Sequence, residues 1–368
     1  MFSTDTAQRF LPHSPVAPTI SPAMSGEKNF YIRLPKPAFV LAPLEQVTDA
    51  AFRYIIAKYG KPHVLYTEFT SADGLCSAGL ERLLPDLRYT ETERPIVAQI
   101  FGRRPETMRQ AAEMCRLLGF DGIDINMGCP EKNVCKTGAG AGMINNPYLA
   151  KECIHAVKDG AGNLPVSVKT RIGFTDINME EWVIHLLETK PALITLHLRT
   201  RKEMSKVPAH WDKVHRAVEL VKGTDTLLYG NGDVESLKQG RELANQTGVD
   251  GVMFGRAIFG NPWLFSEAVS RDELSVTERL HVMLEHAYVF EHFFSDVRKH
   301  FLVMRSHFHA YVAGMPHAKE MRIKLTQCST ADEAHDAVRD YLEAPFVFTP
   351  PEKHPPVDIE RLRNVLAK

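Results

Sequence analysis

The chain has no apolar run approaching the ~18 residues of a membrane-spanning helix, and no excess of charge of either sign. Its 44 Lys and Arg face 45 Asp and Glu, a formal net charge of −1, so any polyanionic partner would need a local basic patch. Cysteine is sparse: Cys76, Cys115, Cys129, Cys135, Cys153 and Cys328, with no C-x-x-C pair. Such spacing lacks the density of a secreted disulfide framework and reads as reduced thiols in a cytoplasmic protein. The amino terminus lacks the apolar core of a secretory signal. Pro12, Pro15, Pro18 and Pro22 stand there among small polar residues, so residues 1–35 are expected to form a disordered leader. The remainder suits a folded chain: 368 residues, 44% hydrophobic and 24% charged, are enough for one large domain and a smaller one.

From residue 38 short apolar runs alternate with helical patterns. The runs are 39–41, 64–69, 96–101, 122–127, 166–171, 193–198, 226–231 and 251–254, rich in β-branched and aromatic residues and of strand length. Helix punctuation falls between them. Thr48 and Asp49 offer an N-cap, Pro105 opens and Gly119 closes a helix, and Asn146-Pro147 and Asn261-Pro262 open two more. Strand–helix units repeated eight times at ~25–35-residue spacing are what a TIM (β/α)8 barrel requires. The rival, a doubly wound open sheet, carries a Gly-rich turn after its first strand; Ala42-Pro43-Leu44-Glu45 stands there instead. The expected fold is an α/β TIM barrel over 36–268, followed by a small all-α domain over 269–346, where apolar residues recur at helical spacing. A proline-rich linker and tail occupy 347–368.

In such a barrel, chemistry sits at the C-terminal ends of the strands. The residues there are Pro43, Glu68, Gln99, Asn126 with Cys129, Lys169 with Arg171, His197, Asn231 with Gly232 and Asp233, and Gly255 with Arg256. One polar rim group is ordinarily just solvated; a polar group after nearly every strand is not a structural need. Gly230-Asn231-Gly232-Asp233 and Gly255-Arg256 follow strands seven and eight, where barrels hold phosphate on backbone N–H groups. Two ordinary glycine turns would look the same in isolation. The stretch Gly138-Ala139-Gly140-Ala141-Gly142 is no dinucleotide-binding turn, lacking the final glycine and a preceding strand. It reads as a flexible loop that leaves Cys129 over the barrel mouth. A thiol near its ordinary pKa of ~8.5 keeps its proton at neutral pH and can act as a general acid. As a nucleophile it would need a base such as His197.

Together these residues resemble the tRNA-dihydrouridine synthase family, in its bacterial form. The resemblance is carried by 42–49 (APLEQVTD), 67–72 (TEFTSA), 99–102 (QIFG), 126–130 (NMGCP), 168–173 (VKTRIG), 197–201 (HLRTR), 231–233 (NGD) and 255–263 (GRAIFGNPW), in order across 36–268. It implies reduction of the C5–C6 bond of uridines in tRNA by a bound FMN, with NADPH (or NADH) as reductant. The resemblance places Cys129 as the acid that protonates C5. Lys169 and Gln99 would lie at the flavin ring, and His197 near flavin and phosphate. Pro43, Asn231, Gly232, Asp233, Gly255 and Arg256 would complete the cofactor site, and Asn126 and Arg171 would hold the uracil. Extruding the base from its stack is what lets a barrel-mouth cofactor reach it. Partners implied are tRNA alone, without membrane or metal, the chain acting as a monomer. Three positions depart from the pattern: Leu198 for a glycine, Tyr229-Gly230 before Asn231, and 202–210, which lacks a Gly-Tyr pair.

Residues 276–325 hold His281, His286, His292, His300, His307, His309 and His317. A metal site is less expected than a solvated helix surface with some histidines in the core. Arg298, Lys299, Arg305, Lys319, Arg322 and Lys324 form a candidate RNA-facing strip. The alternative reading is an FMN-dependent barrel reducing a free pyrimidine-like molecule, which would not need the helical domain; a third is a non-catalytic RNA-binding factor.

Overall fold

The computed structural model describes residues 29–297, 299–342, 347–351, 363, 364 and 366. Nine parallel strand segments run around a barrel: β1 (Ala38–Leu41), β2 (Leu65–Tyr66), β3 (Thr70–Ser71), β4 (Ile96–Phe101), β5 (Gly122–Met127), β6 (Val166–Arg171), β7 (Leu193–His197), β8 (Leu227–Asn231) and β9 (Gly251–Phe254). β1 pairs with β9, and a single bridge from Val40 to Val64 joins β1 to the start of the second unit. The barrel is thereby closed. Of the expected run 64–69 only β2 forms as a strand, and β3 lies just beyond it; both pair with β4 and are parted by Thr67–Phe69.

Helices of eight or more residues cover the outside: α1 (Ala50–Tyr59), α2 (Pro105–Leu117), α3 (Pro147–Ala161), α4 (Met179–Leu187), α5 (Val214–Val221) and α6 (Leu237–Thr247). Their starts follow from local chemistry. Asp49 caps α1 by accepting from Phe52 N–H at 3.0 Å, and Asn146 caps α3 by accepting from Leu149 N–H at 3.2 Å. The helix expected to open at Asn261-Pro262 does not form. Trp263, Leu264 and Phe265 are all buried there in successive turns, with Leu264 N–H donating to Asn261 O at 3.1 Å and Ser266 N–H to Trp263 O at 2.8 Å. The chain instead turns and continues to α7 (Val276–Phe294), α8 (Met304–Tyr311), α9 (Ala318–Gln327) and α10 (Ala331–Leu342).

Two segments differ from the expected leader and tail. Residues 1–28 lie outside the described residues, but Phe30–Arg33 is a helical turn within the stretch expected to be disordered. Burial supplies the reason: Tyr31 is 1% exposed and plugs the barrel floor among Tyr66, Leu193, Leu227 and Tyr229. At the other end Phe348 stacks on Tyr288 with ring centroids 5.6 Å apart, and Arg363 pairs with Glu81 at 2.6 Å.

The C-terminal helices share one continuous apolar core with the barrel's outer layer. α7 lies on α1, where Lys58 pairs with Glu285 at 2.6 Å and Phe52 stacks on His286 at 4.9 Å. His286 and His307 are wholly buried, ring to ring at 4.6 Å, with no hydrogen-bond partner among the described residues on either nitrogen of either ring. Burial holds His286 well below the ordinary histidine value and His307 at about 4. A histidine with a depressed folded-state value is protonated first in the unfolded chain. Stability therefore rises with pH between about 4 and 6.5 and is lost on acidification. Between about pH 7 and pH 5, His307 alone costs about 2 kcal/mol. Melting curves should show that slope, and a folded His307→Phe protein should show a smaller one.

Candidate active site

Alternation along parallel strands decides which side chains enter the barrel. On β5, Asp124 and Asn126 face inward; on β6, Ser167, Lys169 and Arg171; on β7, Thr195 and His197; on β8, Tyr229 and Asn231. Register aligns them across the barrel, Asn126 beside Lys169, Arg171 beside His197, and His197 beside Asn231. Above this layer opens a cavity of about 1400 Å³, larger than the ~300–1,000 Å³ of common small-molecule sites. Pro43, Asn126, Cys129, Lys169, Arg171, His197, Asn231, Gly232, Asp233, Gly255 and Arg256 all line it. The residues singled out in the sequence thus converge, except Gln99 and Glu68, whose carboxylate accepts from Gln46 N–H and pairs with Lys299. Gln99 lies beneath the cavity, fully buried, donating to Asp124 Oδ2 at 2.6 Å and accepting from Asn126 Nδ2 at 2.9 Å.

The loop bearing Cys129 is pinned, contrary to the expected flexibility. Gly128 and Cys129 N–H both donate to Asn126 Oδ1, at 3.0 and 2.8 Å. The Cys129 carbonyl accepts from Ala141 N–H at 3.0 Å and from the Cys135 thiol at 3.3 Å. Gly140 makes this fit possible: its φ is +56°, and a Cβ there would stand 3.0 Å from the Cys129 carbonyl oxygen. Arg171 braces the same loop from below, donating to Gly128 O at 2.7 Å and to Thr200 O and Met204 O at 3.1 and 3.2 Å. The Cys129 thiol is half-buried, and burial with the nearby Glu45 carboxylate raises its pKa. It keeps its proton at neutral pH.

Charge around His197 is mostly positive, while Glu45, Glu131, Glu235, Glu267, Asp272 and Glu273 line other parts of the cavity. Burial, then repulsion from Arg171, brings Lys169 down to about 8, and its ammonium has no hydrogen-bond or ion-pair partner among the described residues. Burial and the surrounding Arg171, Lys169, Arg199 and Arg256 hold His197 well below the ordinary value, so its ring is neutral. Arg199 is buried, lies 3.3 Å from His197 Nε2, and bonds the Asp233 carboxylate, whose other oxygen accepts from Arg256 at 2.9 Å. Burial pushes Asp233 up, but these partners outweigh it and leave the carboxyl below its usual range. Asp233 therefore spends its charge on two arginines; what it offers the cavity is backbone. Gly255 is open, a Cβ there meeting nothing within 4 Å.

Arg199 and Asp124 were not singled out as site residues. Arg199 stood in the HLRTR stretch, one inward step beyond His197, and could have been found by alternation. Asp124 gave no signal beyond its place in a strand. Two of the three departures lie outside the cavity lining, whereas 202–210 supplies Met204 and Ser205 to it. Leu198 is buried in the outer core, Tyr229 in the floor cluster, and Gly230 leaves room for the Trp211 ring, whose Nε1 donates to Gly232 O at 2.8 Å. In the candidate RNA strip, Lys299 turns inward to Glu68 at 3.1 Å and Asp49 at 3.4 Å, while Lys319 and Lys324 are exposed. Arg298 lies outside the described residues. Among the described residues no helix is long and apolar enough to cross a membrane.

Comparison with known proteins agrees over nearly all of this architecture. The model of the family described as dihydrouridine synthase (Dus) matches residues 40–345. A Staphylococcus epidermidis protein named probable tRNA-dihydrouridine synthase is 42% identical over 323 residues, covering 86% of this chain and 97% of its own. Probable tRNA-dihydrouridine synthase 2 of Bacillus subtilis is 41% identical over 318 residues, covering 85% and 97%. Among solved structures, an old yellow enzyme homologue from Zymomonas mobilis is 14% identical with a TM-score of 0.44, covering 61% of this chain and 86% of that one.

Proposed function

The chain belongs to the dihydrouridine synthase family, and from that premise we propose that it reduces uridines in cytoplasmic tRNA to 5,6-dihydrouridine, with FMN as cofactor and NADPH (or NADH) as reductant. The observation that carries this reading is the juxtaposition, in one cavity, of a protonated thiol at Cys129 and an unpartnered ammonium at Lys169. An FMN group fits the residues present. Lys169, Arg171, Arg199 and Arg256 cluster around His197, and the open Gly255 and left-handed Gly232 leave backbone accessible for a phosphate. When bound, that cofactor supplies the hydride that saturates one carbon of the uracil ring.

The protein's own part is positioning and proton supply. Lys169 offers its ammonium to an anionic ring edge, where preorganised charge is worth most in a site closed from water. Arg199 and Arg256, held by Asp233, set the positive end for a phosphate. Neutral His197 contributes a ring without adding another positive charge. Cys129 Sγ–H delivers the proton to C5 of the base, and Asn126 and Arg171 hold the loop that carries it. This assigns those two side chains to the loop first and the uracil second.

The pH dependence follows from Lys169. FMN affinity should fall as pH rises through about 8, where the ammonium loses its proton. Titration of FMN into deflavinated protein by fluorescence quenching measures it, and in a Lys169→Met protein the step should vanish. The decisive test of function is a map of dihydrouridine in tRNA from cells with the gene deleted and then restored. Loss and recovery at one or more positions is expected; an unchanged map at every position would refute the proposal.

A further inference from the structure

Asn126, Gln99 and Asp124 form a hydrogen-bonded chain whose direction is fixed from one end. The N–H groups of Gly128 and Cys129 can only donate, so the Asn126 side chain must turn its oxygen toward them, at 3.0 and 2.8 Å. Its Nδ2 then faces Gln99 Oε1 at 2.9 Å, and Gln99 must point Nε2 the other way, to Asp124 Oδ2 at 2.6 Å. The second oxygen of Asp124 accepts from Ser167 Oγ at 2.6 Å. Ser167 lies 3.4 Å from the Tyr31 hydroxyl, itself 3.2 Å from that of Tyr66 at the barrel floor. Gln99, Asp124, Asn126 and Ser167 are all buried, so water cannot readily stand in for a lost partner.

We infer that Asp124 is a positioning residue for Cys129: by accepting from Gln99 it anchors the far end of the chain, holds Gln99 and Asn126 in the direction that the Gly128 and Cys129 N–H groups require, and so keeps an acceptor under the Cys129 backbone N–H. The group at that end of the chain must accept from Gln99, which a carboxylate oxygen does and an apolar side chain does not. Burial brings Asp124 up to about 6, against the opposing bonds from Gln99 and Ser167; it is ionised at neutral pH. The inference rests on the reading of Cys129 as the proton donor, since that is what makes the loop's placement matter.

Iodoacetamide tests it without requiring turnover. Full-length protein is alkylated between about pH 6 and pH 10, across the ordinary thiol range, and each cysteine is followed by peptide mass spectrometry. Loss of one loop-holding hydrogen bond should let the half-buried thiol reach solvent, and Asp124→Ala should speed alkylation of Cys129 by about tenfold. Cys76 in the same molecules should not change. Gln99→Met breaks the chain at the next link and should do the same, so the test survives a failure of Asp124→Ala to fold. Asp124→Asn should restore the wild-type rate, because its oxygen can serve Gln99 while its amide nitrogen donates to a rotated Ser167 hydroxyl. A Cys129 rate indistinguishable from wild type in folded Asp124→Ala or Gln99→Met protein overturns the inference, as does an Asp124→Asn protein as fast as Asp124→Ala. Wild-type protein that leaves tRNA unreduced would instead sink the functional reading, while the alkylation rates still decide the role of Asp124.

Discussion

Replacing Cys129 with alanine should slow uridine reduction by about 10²–10⁴-fold, the usual contribution of a positioned general acid, while reduction of the flavin by NADPH stays at the wild-type rate. The two half-reactions separate because nothing in the first needs the thiol proton. Bleaching near the flavin's visible band measures the first; single-turnover recovery of that band on adding tRNA measures the second. The acid role is favoured over the nucleophilic one by the electrostatics around the sulfur. Burial and the carboxylates of Glu45 and Glu131 push the thiol's pKa up, although a backbone hydrogen bond at Glu131 works the other way. A nucleophile would need its proton removed, and the candidate base His197 is itself held neutral by burial and by four neighbouring cations that oppose any proton it would take. Cys129→Ser should also be slow, because a hydroxyl is a far weaker acid. If Cys129→Ala lost flavin reduction instead, the assigned role would be wrong.

How much of this could be read from sequence depended on whether the signal was local. The strands 96–101, 122–127, 166–171 and 251–254 match the expected runs residue for residue, because parallel strands buried on both faces are continuous apolar runs. The second strand was blurred because Thr67 and Glu68, though buried, leave the ladder before pairing resumes at Thr70. The eighth helix was misplaced because Asn261-Pro262 is a legitimate helix start, but the backbone after it closes into separate turns and the next long helix starts only at Val276. Site residues were legible where they sit at strand ends. Gln99 was legible as a polar strand-end residue, but its neighbour Asp124 reveals its part only through a partner 25 positions away, which no spacing rule reports. Lys299 shows the same limit more sharply, since a lysine bound for solvent and one bound for a buried carboxylate look alike in a sequence.

Lys299→Met is accordingly expected to cost stability rather than RNA binding. Lys299 is 16% exposed, sits 3.1 Å from Glu68 and 3.4 Å from Asp49, and lies over the Phe294 ring at 4.6 Å. Glu68 also accepts from Gln46 N–H, in the loop that carries Pro43 into the cavity. Removing the cation strands these carboxylates and nearby Asp86, and breaking such a buried pair typically costs about 3–5 kcal/mol. The sign with pH is fixed by the groups involved. Burial lowers the Lys299 pKa, but Asp49 and Glu68 outweigh it and raise the value overall. Its contribution is therefore complete below the ordinary lysine value of ~10.4 and is lost only as pH climbs through the folded value. Asp86, raised to about 6 mainly by burial, takes up a proton more readily in the folded chain than in the unfolded one. Lys299 opposes that rise, so without it Asp86 should take up its proton more readily still, and the variant's deficit should be large at neutral pH and shrink on acidification through about 6. Urea unfolding of wild type and variant at both pH values measures this directly. An RNA-contacting lysine would behave otherwise: its loss would leave stability unchanged and reduce the salt dependence of tRNA binding by about one ion. That outcome would return Lys299 to the RNA surface, whereas a pH-dependent loss of stability fixes it as the tie between the C-terminal helices and the rim of the barrel.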